Sequence, residues 1–566
     1  MQTLPQKKPK KLQNGIALVR ICWYDERKRR RGPAPDKETV MTLSPDTRYL
    51  LFPVRYDAPS RNIAFFENGS MLLDVDVCLA EGKPDAVYAL DVARFAGRTL
   101  EIQGLPDGVE PTPSATAPQP AELYTEHCRP RLHFSADSGW INDPNGLVWD
   151  GEYYHLYFQH NPVGRCWGNM HWGHAVSTDL VHWQQREGEA LHPDAAGTMF
   201  TGSGVYDAEN CSGLGKGALL FYYTAAGGSS MLSRTAGSRF TQCLACSTNG
   251  GKTLVKYQDN PVVPHIVDGN RDPKVVWYAQ KKLWYMALYL DKNEFALLRS
   301  EDLLHWTLFQ QFEVPGDAEC PDFYPLQEES TGEEYWVFSA ASDRYLVGRL
   351  DKDGYFVPVQ PVRQLHFGAH SYAAQTYFNT ADGARVRIGW CTTDLPAMPF
   401  NGSMNTPVRM TLRRRDEVLC LCAQPIDAFA SLRGNAVQPQ RGPVGSGCVW
   451  QAPDALYEAA WSFVPTDDTT ITIGGCTLLL DAAAGVLRHT VGEKEYALPL
   501  CADKTGQVTL RAIVDTATLE LYTGNGEAFA VFALPAPGTA DAAVTAQNAA
   551  ALAQESLTFW PLQPIR

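Results

Sequence analysis

Short runs in which apolar and polar residues alternate dominate this chain. In Thr470-Ile471-Thr472-Ile473 and Leu519-Glu520-Leu521-Tyr522 every second residue is apolar, and Val508–Asp515 follows nearly the same rhythm. A period of two sends successive side chains to opposite faces of a strand, so each run predicts a half-buried β-strand. Turn-forming residues recur about every ten residues. Long stretches with helical spacing are scarce. The pattern predicts an all-β protein.

At 566 residues the chain is too long for a single core. Two Pro-rich stretches, Pro106–Pro120 and Arg433–Gly447, read as linkers. They give an N-terminal β-rich module over 1–120, a middle domain over 121–432, and a linker plus C-terminal β-sandwich over 433–566. The N-terminal module shows strand-like runs at Leu72–Val77 and Ala89–Val92. The middle carries an internal repeat. Ser177-Thr178-Asp179-Leu180-Val181-His182-Trp183 returns as Ser300-Glu301-Asp302-Leu303-Leu304-His305-Trp306, with a looser copy at Ser247–Thr253. A polar turn recurring before a strand suits the blades of a β-propeller, and about 300 residues allow about five blades. The competing reading is one large sandwich.

Charge removes some function classes. Lys and Arg number 49 against 63 Asp and Glu, a net charge of −14. That argues against general affinity for nucleic acid or an anionic membrane. The basic runs Lys7–Lys11 and Arg27–Arg31 read as solvated surface. No apolar run is long enough for a transmembrane helix. Gly15–Val19 is a poor secretory signal, because Arg20 cuts it short. The 14 cysteines are scattered, many within apolar runs. Cys243-x-x-Cys246 and Cys420-x-Cys422 lack a second pair at zinc-site spacing. The expectations are no metal, no cofactor and a cytoplasmic location; oligomeric state is left open.

Three carboxylates stand in distinctive settings. Asp143 lies in Trp140-Ile141-Asn142-Asp143-Pro144-Asn145-Gly146, which reads as a tight turn between aromatic-rich strands. Asp272 lies in Arg271-Asp272-Pro273, and Glu319 in Glu319-Cys320-Pro321-Asp322. Cleaving a sugar bond requires such a set: two carboxyl groups flanking the bond and further polar groups for the hydroxyls. Locally, Asp-Pro-Asn-Gly also suits an ordinary hairpin turn, and Arg271-Asp272 a surface ion pair.

The order of these motifs resembles glycoside hydrolase family 32, the invertases, levanases and exo-inulinases that cut β-fructofuranosyl bonds. From His133 to about Leu412 the landmarks follow in sequence: Trp140–Gly146, Tyr157–Pro162, Trp167–His174, Phe200–Ser203, Arg271–Lys274 and Glu319–Pro321. The resemblance implies a five-bladed propeller followed by a β-sandwich. It implies Asp143 as nucleophile, Glu319 as acid/base and Asp272 as transition-state stabiliser. Asn142, Gln159, Trp167, Phe200, Thr201 and Arg271 then line a pocket for a terminal fructose. Crowding by Asp143 and Asp272 is expected to raise the pKa of Glu319, while Arg271 keeps Asp272 ionised. His171 and His174 read as packing residues. In Leu365–Gln375 the family carries an acidic residue where His366 and His370 stand, so this segment is expected at the rim beyond the first sugar. The implied activity is a retaining, exo-acting β-fructosidase on fructans, fructo-oligosaccharides or sucrose. A fructosyltransferase sharing the same intermediate and a non-catalytic fructan-binding propeller are the alternatives.

Overall fold

The computed structural model describes residues 37–120, 123–439, 442–444, 447–539 and 541–566. The two basic runs and Gly15–Val19 lie outside the described residues. Strands dominate, as the alternation predicts; among the described residues the one α-helix is α1 (Met231–Thr235).

The N-terminal residues form two small antiparallel sheets. One orders Lys37–Thr42, Thr99–Leu105, Arg61–Glu67 and β1 (Ser70–Val77); the other orders Ala86–Asp91, Tyr49–Val54 and Thr112–Ser114. Leu50, Phe52, Ile63, Phe65, Leu73, Val75 and Ile102 fill the space between them. Thr112–Ser114 belongs to the stretch expected to be a linker. Three of its residues instead pair with Tyr49–Leu51, because an edge position tolerates Pro113.

The middle of the chain makes five successive sheets. Each begins with an inner strand: β2 (Gly139–Trp149), β3 (Thr198–Asp207), β4 (Arg271–Tyr278), β5 (Asp322–Gln327) and β6 (Tyr372–Thr376). These inner strands touch one another in chain order, and β6 returns to β2, closing a ring. That is consistent with the five blades expected. Phe400–Asn401 adds a parallel strand to β2 and so ties the last sheet to the first.

The internal repeat has a structural meaning. It ends the third strand of each of the first three sheets: His171–Ser177, Thr241–Ser247 and Glu294–Ser300. In the two close copies the serine hydroxyl accepts from the leucine N–H (2.9 Å at Leu180, 2.8 Å at Leu303). The aspartate then accepts from the histidine N–H and ring. Both leucines, buried, take a left-handed φ of 66° and 68°. The local side-chain bonds make this turn possible without glycine.

A seven-stranded and a five-stranded sheet form the C-terminal sandwich around Trp450, Trp461, Phe463, Leu478 and Phe532. Residues 433–437 of the expected linker pack on it. Arg433 forms a two-armed ion pair with buried Glu458 (2.6 and 2.7 Å), and Val437 exchanges backbone hydrogen bonds with Phe559 at 2.8 Å.

Candidate active site

Bulges present the site. Pairing along β2 slips between Ile141 and Pro144, which releases Asn142 and Asp143 from the ladder. β3 slips between Met199 and Gly202, releasing Phe200 and Thr201; β4 slips between Arg271 and Lys274, releasing Asp272 and Pro273; β6 slips between Tyr372 and Gln375. An extra residue in one strand bends it and re-aims its side chains, and here four neighbouring inner strands use the device. Asp143 therefore sits inside an eleven-residue strand, not on the tight turn between strands that was expected. The turn residues Pro144, Asn145 and Gly146 serve the bulges instead. Gly146 has φ 57°, and a Cβ there would meet Tyr157 at 2.7 Å.

Backbone strain marks the same place. Asp272, Glu319 and Cys320 have φ values of 64°, 60° and 40°. Each costs about 1–3 kcal/mol, held only because the surroundings over-determine it. Cys320 is the hub. Its N–H donates to Asp272 Oδ2 at 3.0 Å, and its thiol lies 3.4 Å from Asp143 Oδ2 and 3.5 Å from Asp272 Oδ2. Burial pushes the Cys320 thiol well up, so it remains a protonated donor. The sequence reading assigned Cys320 no role, although its place beside Glu319 marked it.

The polar residues link up. Thr201 donates from Oγ1 to Asp143 Oδ2, Gln159 donates to Thr201 at 2.8 Å, and Asn142 donates to Asp143 Oδ1 at 3.1 Å. Trp140 Nε1 fixes Asn142 at 2.9 Å. On the other side Arg271 Nη2 donates to Glu319 Oε1 at 2.5 Å, and its Nε lies 3.7 Å from Asp272. The Tyr372 hydroxyl donates to Glu319 Oε2 at 2.6 Å. Tyr372 also went unassigned, and no local signal distinguished it. Trp167 and Phe200, both half-buried, meet edge to face at 5.8 Å. Asp143 and Asp272 are buried, whereas the Glu319 side chain is 29% exposed.

Burial raises the pKa of Asp143; bonds from Thr201 and Asn142 oppose it, and Glu319 adds to it. Burial likewise pushes Asp272 up to about 7, with Arg271 pulling down and Asp143 and Glu319 pushing further up. Arg271 thus does not keep Asp272 in the ordinary carboxylate range, contrary to expectation. Asp272→Asn is expected to stabilise the fold. Below the ordinary value of 3.8 the carboxyl is protonated in both folded and unfolded chains. Between pH 3.8 and about 7 the unfolded chain gives up this proton while the folded chain keeps it, so stability falls across that interval and levels off above it. The variant should gain on the order of 2–4 kcal/mol at pH 8 and nothing at pH 3.5, measured by denaturant unfolding. An equal gain at both pH values contradicts this.

The histidines sort as follows. His171 and His174 are buried; His174 bonds His155 at 3.0 Å and stacks on Tyr157 at 4.0 Å. Among the described residues no group of three or more His, Cys, Asp or Glu is arranged to hold a metal. His366 is not at a rim. Residues 365–370 run beside Ala528–Ala533, here β7, joined to it by a single bridge at His366–Phe529 and by backbone hydrogen bonds: Phe367 N donates to Phe529 O at 2.8 Å, and Ala369 N to Val531 O at 3.0 Å. His366 packs on Phe529, and its Nε2 accepts from Val531 N at 3.2 Å. His370 bonds Thr392 at 3.0 Å. Both belong to the seam between propeller and sandwich.

Buried carboxylates gathered on bulged inner strands, beside a more exposed glutamate and an aromatic wall, define a glycoside hydrolase. The chain belongs to glycosyl hydrolase family 32: the model of that family's N-terminal domain matches residues 133–423. The levanase of Bacillus subtilis is 32% identical over 345 residues, which cover 56% of this chain and 49% of the levanase. The chain therefore spans about half the length of that relative. The invertase of Schizosaccharomyces pombe is 28% identical, over 72% of this chain and 80% of the invertase. The crystal structure of exo-inulinase from Aspergillus awamori superposes with a TM-score of 0.68 at 24% identity, covering 78% of this chain and all of that one. At that identity the likeness speaks for the fold.

Proposed function

We propose that this chain is a retaining, exo-acting β-fructosidase. Its substrates are fructans, fructo-oligosaccharides or sucrose, as the names of its relatives suggest. One observation carries the reading: Asp143, Asp272 and the Glu319–Cys320 turn converge, with Cys320 in contact with both aspartates. A binding module has no use for two buried aspartates, one of them on a strained backbone, beside a partly exposed glutamate.

In this mechanism Glu319 gives its proton to the glycosidic oxygen as that bond breaks. Asp143 Oδ attacks the anomeric carbon, forming a fructosyl ester. Glu319 then takes a proton from water, water attacks the same carbon, and the Asp143 ester bond breaks. Two inversions retain configuration. Thr201, Asn142 and Cys320 hold Asp143 in place. Asp272 bonds fructose hydroxyls, and Arg271 and Tyr372 orient Glu319. Asn142 and Gln159 offer the paired donors and acceptors that a polyol needs. Asp143 works as the anion, so its raised pKa places the acid limb of kcat/KM above the ordinary aspartate range.

The test is product analysis on levan, inulin, sucrose and 1-kestose. Fructose is expected as the first product, released one unit at a time. Long oligomers appearing early contradict exo action. Products longer than the substrate point to transfer, and binding without any product points to a non-catalytic propeller.

A further inference from the structure

The two aromatic walls of the site rest on loops that the N-terminal module holds. Trp167 lies in the 161–170 loop. Asn161 organises this loop from within: its Nδ2 donates to Cys166 O at 2.8 Å, and its Oδ1 accepts from Val163 N at 3.2 Å. The outer side of the loop belongs to the N-terminal module. Val163 is buried in the hydrophobic core of that module. Asn169 takes a left-handed φ of 48°; its Nδ2 donates to Asn161 Oδ1 within the loop at 3.1 Å, and both ends of its amide also bond one residue of β1. Asp76 N donates to Asn169 Oδ1, and Asn169 Nδ2 donates to Asp76 O, both at 2.8 Å. The Arg165 guanidinium lies over the Tyr56 ring at 5.3 Å.

The Phe200 wall is backed through a second route. Phe200 meets Phe240 edge to face at 5.6 Å. Phe240 closes the 227–240 segment that contains α1. Asp74 of β1, buried, accepts from Met231 N at 2.8 Å and Leu232 N at 2.9 Å. Asn62 Nδ2 donates to both Asp74 and Asp76 at 2.9 Å, fixing the pair of carboxylates along β1. A buried carboxylate must be paid for by its hydrogen bonds, and here those bonds reach out of the module into the propeller.

We infer that the N-terminal module is a positioning element of the sugar site. Through Asp74 and Asn169, β1 fixes the two loops behind Trp167 and Phe200 and thereby the gap between the rings. The inference rests on the pocket proposed above. Misplacing a wall weakens sugar binding, while Asp143, on β2, and Glu319, in the turn before β5, keep their chemistry. Asp74 and Asn169 are positioning residues, so their loss should appear in KM and in fructose affinity before kcat.

The experiment compares the full chain with Asp74→Ala, Asp74→Asn, Asn169→Ala and Arg48→Ala. Arg48 bonds Glu187 elsewhere on the same seam (2.7 Å to its carbonyl) and reports general loosening. Each protein is assayed on 1-kestose and titrated with fructose by calorimetry. Asp74→Ala and Asn169→Ala should raise KM and weaken fructose binding about tenfold, with kcat within about twofold, a loss near 1.4 kcal/mol. Asp74→Asn, which retains an acceptor, should recover part of the loss, and Arg48→Ala should match the parent. If both loop variants bind fructose as the parent does, or if Arg48→Ala weakens it equally, the inference is overturned. If Asp74→Ala does not fold, Asn169→Ala and Asp74→Asn decide by the same readouts. A parent that neither cleaves 1-kestose nor binds fructose fails at the proposed function, and the inference falls with it.

Discussion

Asp143→Asn is expected to lower kcat by about four to six orders of magnitude, and Glu319→Gln by about two to four. Neither should unfold the protein. Asp143 is buried with its pKa already raised, so a neutral amide of the same shape removes an unfavourable charge. Thr201 and Asn142 remain to bond it. Glu319 is partly exposed, and a glutamine there keeps acceptor and donor groups for Arg271 and Tyr372. The two losses should respond differently to the leaving group. With a substrate whose leaving group needs no proton, Glu319→Gln should recover its first step, and Asp143→Asn should not. Steady-state rates on sucrose and on an aryl β-fructoside check this. Near-parental turnover by either variant, with an unchanged melting curve, contradicts the assignment.

The largest effect on stability is expected at His133, which precedes the first blade and closes the seam with the sandwich. Its Nδ1 lies 2.7 Å from Asp515 and its Nε2 3.1 Å from Glu520, all three fully buried. Asp515 also accepts from Arg131 N (2.9 Å) and Leu132 N (3.0 Å), and Glu520 accepts from Thr406 N at 3.1 Å and the Tyr522 hydroxyl at 2.7 Å. Burial opposes the charge on His133, but Glu520 and Asp515 outweigh it and hold its pKa well above the ordinary value. Burial likewise opposes the charge on both carboxylates. His133 outweighs it, holding Asp515 low and Glu520 at about 2. His133→Ala leaves two buried carboxylates without their cation and should cost about 3–5 kcal/mol.

The pH dependence of that cost has a definite sign. A raised histidine contributes fully below its unfolded value of 6.5 and loses its contribution as pH climbs through the folded value. The lowered Glu520 contributes fully above its unfolded value of 4.5 and loses its contribution as pH falls toward about 2. The gap between parent and variant should therefore be widest from about pH 4.5 to 6.5. Denaturant unfolding across pH 3–9 measures it, and a gap that widens steadily into alkali contradicts this account.

The all-β class, the repeated turn and the carboxylate motifs were legible because each is written in local residue types. Ser-x-Asp-Leu-x-His-Trp encodes its own hydrogen bonds and can be read without knowing the fold. The setting of Asp143 was misread for a physical reason: a β-bulge and a hairpin turn call on the same residues, Asp, Pro, Asn and Gly. Only the pairing of β2 with its neighbour separates them. The parts of Cys320 and Tyr372 are not legible in the sequence, because contacts across 48 and 53 positions leave no periodic trace. His366 was expected at a rim, yet its segment bonds to the edge of the sandwich, a partner that lies 165 residues onward. Thr112–Ser114 looked like linker because Pro and Thr suit linkers and edge strands alike.

The central claim is that Asp143 forms the covalent bond to fructose. The direct measurement is peptide mapping by mass spectrometry of Glu319→Gln after brief exposure to an aryl β-fructoside. That leaving group needs no proton, so the first displacement proceeds, while the missing base slows the second and the ester accumulates. The account predicts one fructosyl group on the peptide containing Asp143 and none when Asp143→Asn is added. A fructosyl group on the peptide containing Asp272, or burst-free turnover with no modified peptide, would contradict it.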